Sequence, residues 1–169
     1  MSLSVNQLIG FGAKRAAASV SSYRYFKLDV SAINGGSLVG VDELKIYVGA
    51  PKYPSSTMTS ATTPSPLVAS SSSNLSGNNR EWRAFDDAVM GGGFLWYASG
   101  GAPAWLKIDL GSGNAITPTS FKITGPDTSN RAPQDFTFQG SNNDSAWTTL
   151  KTVTGATSWG VSEERTYTI

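Results

Sequence analysis

The chain has 169 residues, enough for one domain with a real core and a short arm. Its formal net charge is +1 and only 15% of its residues are charged, so the composition gives no sign of nucleic-acid or membrane-surface binding. It has no Cys and no His, which excludes disulfides, thiolate or imidazole metal sites, a Ser-His-Asp triad and a Cys-His dyad.

Residues 1–20 place the basic pair Lys14-Arg15 after a short apolar run that Gly10 and Gly12 interrupt. A secretory signal has the reverse order, so none is expected. The segment reads as an N-terminal arm, with Leu8, Ile9 and Phe11 apolar enough to dock on a neighbouring protein. No stretch is long and apolar enough to span a membrane.

Residues 21–169 form the second unit. In "YRYFKLDV", Phe26, Leu28 and Val30 alternate with Lys27 and Asp29, a strand with one buried face. "INGG", residues 33–36, is a turn signal. "ELKIYV" follows, with Leu44, Ile46 and Val48 on one face. Residues 49–80 are rich in Ser, Thr, Asn and Pro and taken alone resemble linker, with a strand possible over residues 67–71. From Trp82 the strand patterns recur as "AWLKIDL", "SFKIT", "DFTFQGS", "WTTLKTV" and "ERTYTI". One short strand per 10–15 residues, with abundant Gly, Ser and Thr, predicts an all-β sandwich or jelly roll.

The blocks "RAPQDFTFQGSNNDSAWTTLKTVTG", "AFDD…W…S…PAWLKIDLG", "YRYFKLDVSAINGGS…VDELKIYVG" and "MTSATTPSPLVASSSS" resemble the discoidin family. These are also called coagulation-factor C-type domains and include the family-32 carbohydrate-binding modules. In that family the "YRYF…ELKIY" block comes last, after a segment like "EERTYTI"; here it comes first. The chain therefore resembles a circular permutant; the alternative is a fragment cut from a tandem array, with "YRYF…IYV" ending one repeat and the rest starting another. If the chain is permuted, Ile169 and Tyr23 should lie within one loop's reach. The resemblance implies an eight-stranded antiparallel jelly roll that binds ligand, usually glycan, with loops at one end. "NQLIGFGAK" and the Ser/Thr-rich block also resemble bacteriophage virion proteins.

The resemblance carries candidate sites with it. Many family members hold a structural Ca²⁺ near an "AFDG" segment, and the matching positions are Asp86 and, from the moved strand pair, Glu43. Asp87 stands where the family has Gly, and Phe94 where it has Ser or Thr. The opposing reading is that Asp86 and Asp87 cap a turn and hold no metal. Trp96, Trp105 and Trp147 match framework positions and are expected in the core. Tyr97, beside "SGGAP", is expected to be an exposed aromatic that stacks on sugar, with Trp82 as a second candidate. Arg131 and Arg80 are candidate hydroxyl or carboxylate binders, Arg131 against the alternative of an ion pair with Asp135 or Asp127. Met90 and Phe94, flanking three glycines, form a candidate apolar loop tip.

The functional expectation is a non-catalytic phage structural or adhesion protein. Its sandwich would bind host-surface glycan or a neighbouring virion subunit, and its arm would anchor it in an oligomeric assembly made in the host cytoplasm. One alternative is a purely architectural capsid-decoration or tail component. Another is the accessory binding module of a glycan-active enzyme. Asp86 and Asp87 are adjacent in sequence, unlike the paired carboxylates that flank a hydrolase cleft.

Overall fold

The computed structural model describes residues 21–89 and 94–169. Along the chain run β1 (Tyr25–Ile33), β2 (Gly40–Val41), β3 (Glu43–Tyr47), β4 (Lys52–Tyr53), β5 (Val68–Ser71), β6 (Trp96–Tyr97), β7 (Ala104–Asp109), β8 (Ser120–Thr124), β9 (Pro133–Ser141), β10 (Thr148–Val153) and β11 (Glu164–Thr168). Two short 3-10 turns cover Glu81–Phe85 and Ser129–Arg131. The expected arm falls outside the described residues, as do residues 90–93 of the expected loop tip.

All pairings between these strands are antiparallel. A five-stranded sheet has the order β10-β9-β1-β7-β5, and a four-stranded sheet has the order β11-β8-β3-β4. β2 and β6 form a separate two-stranded ribbon. The alternation seen in sequence points inward as expected: Phe26, Leu28 and Val30 are fully buried, as are Leu106 and Ile108. Between the two main sheets runs an aromatic stack. Phe26 lies 5.7 Å from Phe138, Phe138 4.2 Å from Phe121, and Phe121 5.1 Å from Tyr167. It joins β1 and β9 of one sheet to β8 and β11 of the other.

The structure adds to two readings and corrects one. The "YRYF" and "ELKIY" strands flank a turn but do not pair with each other; β1 enters the five-stranded sheet and β3 the four-stranded one. The INGG bend, with Gly35 at φ +96°, therefore starts a crossing between sheets. Residues 49–80 are built in: the strand possible over residues 67–71 is present as β5, which pairs with β7 from Val68↔Asp109 to Ser71↔Leu106. Trp105 and Trp147 are half-buried on the outer surface, not in the core. Trp105 falls between inward-facing Ala104 and Leu106, so strand alternation turns it outward. Trp147 precedes β10, a largely exposed edge strand, and lies under the Lys27 ammonium at 4.6 Å. Trp96 is fully buried, as expected, and Trp159 joins the core at 6% exposure.

The ends of the described chain meet. The Ile169 N–H donates to Thr119 O at 3.0 Å, while Tyr23 and Ile116 exchange backbone bonds of 2.8 and 2.9 Å. Both ends thus attach to residues 116–119, a span of roughly 10 Å at full extension. That is the proximity a permuted connection needs. The final strand has β8 as its neighbour, from Glu164↔Thr124 to Thr168↔Ser120.

The strand directions divide the connections between two ends of the sandwich. One end holds residues 34–42, 72–89, 94–103, 125–132 and 154–163. The other holds the two chain ends and residues 48–67, 110–119 and 142–147.

Candidate functional site

All six residues singled out in the sequence fall at the first end or on its flank. They form three groups: a buried carboxylate pair, a tyrosine-arginine stack and a tryptophan-arginine stack.

The carboxylate pair joins β3 to the turn after Glu81–Phe85. The Ala88 N–H donates to Glu43 Oε1 at 2.9 Å and to Asp86 Oδ1 at 3.0 Å. Glu43 is 1% exposed and Asp86 is 7% exposed. Arg83 Nη1 donates to Asp86 Oδ2 at 3.0 Å. Burial pushes the Glu43 carboxyl up to about 9, against the opposing pull of the Lys45 ammonium and with the help of the nearby Asp86 and Asp87 charges. Asp87 occupies left-handed backbone at φ +57°, which explains why the related pattern has Gly there and why an Asp is tolerated. Its carboxylate pairs with the Lys52 ammonium.

This donor chemistry suits a hard cation, which takes carboxylate and carbonyl oxygens. Glu43 and Asp86 would supply two ligands. Among the described residues no group of three acidic, His or Cys side chains is assembled, so further ligands would be backbone oxygens or water.

The second group centres on Tyr97. It was expected to be exposed; it is 3% exposed. The reason is the β2–β6 ribbon, which sets Tyr97 opposite Gly40. A Cβ at Gly40 would collide with the Tyr97 ring, so the ring lies flat on bare backbone. Its hydroxyl donates to Asp127 Oδ1 at 2.5 Å. Burial first, then that hydrogen bond, raises the phenol above its usual range. The Arg131 guanidinium lies 5.1 Å from the centre of the Tyr97 ring. Gly36 admits the arginine stem: a Cβ there would fall 2.9 Å from Arg131 Cγ. Arg131 is thus held by an aromatic face, an arrangement the sequence reading did not weigh. Asp135 Oδ1 is engaged elsewhere, by the Gly155 N–H at 2.7 Å.

The third group lies on the 3-10 turn. Trp82 is half-buried, with the Arg83 guanidinium 4.1 Å from its ring centre. The same guanidinium is 5.2 Å from the Phe94 ring. Arg80, just before the turn, is exposed. Phe94 at 37% and Val89 at 50% exposure add apolar surface. The two arginine–aromatic stacks lie on different segments, connected through residues 94–97. Asp127 and Thr128 were not chosen from sequence as ligand binders. Nothing local marks them, because their partner Tyr97 is distant in the chain.

A family model described as the NedA-like, galactose-binding domain matches residues 72–169. The chain belongs to that family. The match spans β6 to β11 and the turns carrying Trp82, Asp86 and Arg131. β1, β3 and β5 lie ahead of it, yet they complete the two sheets of this discoidin-like sandwich. No curated protein and no solved structure matches the chain.

Proposed function

We propose that the protein is a non-catalytic carbohydrate-binding module that holds a galactose-type sugar at the end carrying residues 34–42, 72–89, 94–103 and 125–132. Family membership supplies the ligand class. The observation that carries the reading is the Arg131–Tyr97–Asp127 arrangement. A buried phenol anchored on a carboxylate holds its ring 5.1 Å from the Arg131 guanidinium at the loop end. A guanidinium seated beside a fixed ring presents several N–H donors, which suits recognition of vicinal hydroxyls. Trp82 offers apolar surface for the C–H face of the sugar.

The setting proposed is a virion. The sandwich would contact host-surface glycan and residues 1–20 would hold it to neighbouring virion proteins, in keeping with the phage-like "NQLIGFGAK". Calcium is the proposed structural cation. Glu43 and Asp86 would hold it, and it would neutralise their paired charge and tie β3 to the 3-10 turn.

Titrating the protein with galactose and lactose by calorimetry tests the sugar. Saturable binding that Arg131→Ala weakens at least tenfold supports the reading. No binding to these sugars or to a glycan array, alongside tight co-assembly with capsid or tail proteins, makes the role architectural. Co-purification with a glycan-active enzyme makes it an accessory module.

A further inference from the structure

The end of the sandwich opposite the proposed sugar loops holds a cleft of about 340 Å³. That is within the range of small-molecule sites, about 300–1,000 Å³. Its base is apolar: Pro54, Leu67 and Leu110 are buried, and Ile116 is half-buried beside them. Its exposed rim carries Ser55, Ser56, Ser65 and Asn114, with Pro66 and Ala115 between them. Tyr53 adds a half-buried ring. None of the twelve lining residues carries a charge.

Both walls are fixed. On one side Leu67 N–H donates to Pro64 O at 3.0 Å. On the other, Asn114 Nδ2 donates to Leu110 O at 2.8 Å and Ile116 N–H to Tyr23 O at 2.9 Å. The walls meet where Gly111, at φ +88°, passes Pro66 so closely that a Cβ would fall 2.5 Å away. A cleft whose sides are tied in this way is already formed before a ligand arrives, which lowers the cost of binding.

We infer that this cleft is a second binding site, for a neutral saccharide unit. An apolar base under a rim that carries three serine hydroxyls and an amide matches the two faces of a pyranose: C–H groups below, hydroxyls at the edge. Serine hydroxyls both donate and accept, as sugar hydroxyls do. With no Arg or Lys in the lining, a uronate carboxylate or a phosphate would lose water without gaining a partner. The inference is independent of the Tyr97–Arg131 end and stands or falls separately. Two sites at opposite ends would let one copy bridge two glycan chains and gain avidity.

The test is a ¹H–¹⁵N titration of the full chain with D-galactose, D-glucose and N-acetyl-D-glucosamine, with D-glucuronate as the anionic probe. Saturable shifts at the amides of Ser55, Leu67, Asn114 and Ile116 with at least one neutral sugar are expected. Shifts at 129–131 report the other end separately. Ser56→Trp, at an exposed rim position, should weaken the cleft response at least tenfold while leaving the spectrum folded. Ala115→Arg, also exposed, should create a response to glucuronate. The inference is overturned if no neutral sugar shifts the cleft amides, if glucuronate shifts the native cleft as strongly, or if both variants respond as the native chain does. The chain has no Cys, so Val5→Cys allows one spin label. If that label broadens the cleft amides without sugar, the occupant is the chain's own N-terminal segment and the saccharide assignment is wrong.

Discussion

Replacing Glu43 by Gln should remove most of the protein's pH dependence between pH 5 and 8.5 when chelator is present. In the fold the Glu43 carboxyl keeps its proton to about 9, from an ordinary value of 4.5, because it is buried beside Asp86 and Asp87. The unfolded chain releases that proton near 4.5. Between these values the native state binds more protons than the unfolded state, so stability falls as pH rises. Each pH unit in the window costs at most about 1.4 kcal/mol, so the loss over the two units from pH 5.5 to 7.5 is at most about 3 kcal/mol. No His contributes, since the chain has none. Gln carries the same shape with no charge to release, so its stability should be nearly level across the window. Guanidinium unfolding followed by tryptophan fluorescence, at half-unit pH steps with EGTA, measures both slopes. Native stability that is flat or rises over this range would refute the buried, protonated carboxyl. So would an equal slope in the Gln variant.

Adding calcium should raise the melting temperature of the native chain and flatten its pH slope, because the cation favours the ionised pair; Glu43→Gln should lose that response, as differential scanning fluorimetry will show. Tyr97→Phe leaves the ring seated on Gly40 but removes the hydroxyl that donates to Asp127. It should cost about 1–2 kcal/mol of stability by denaturant unfolding, and calorimetry should show weaker sugar binding because the ring beside Arg131 loses its anchor on Asp127. Phe138→Ala cuts the aromatic stack between the sheets and should cost about 3–5 kcal/mol in the same unfolding assay. Gly40→Ala drives a methyl into the Tyr97 ring and should destabilise the fold by about 1–3 kcal/mol, with altered near-UV circular dichroism from the displaced Tyr97.

Strand positions were legible wherever apolar and polar residues alternated. In "YRYFKLDV", "ELKIY", "AWLKID" and "SFKIT" the alternating apolar side chains turn inward as predicted, while Glu43, on the opposite face of "ELKIY", is buried as well. Side-chain period fixes which face turns inward, and that is local information. Residues 49–80 lacked any such period, and their order comes from β5 pairing with β7. Trp105 shows how the family pattern and the local rule can conflict: its framework position suggested the core, while alternation with Ala104 and Leu106 sends it outward. The candidate carboxylates were found from the motif alone. Their shared Ala88 N–H and the raised Glu43 were not, because both arise from burial between segments 45 residues apart.

The sequence by itself determined the class of fold and the absence of thiol and imidazole chemistry. Composition and alternation need no partner to be read. Which strands pair, which aromatic is covered and where a cleft opens were decided only by tertiary structure. Tyr97 is the clearest case. Beside a glycine-rich loop it looked free, but two glycines far back in the chain, Gly36 and Gly40, made room for Arg131 and for the ring itself. Such room is a property of the space between segments, and a linear pattern does not record it.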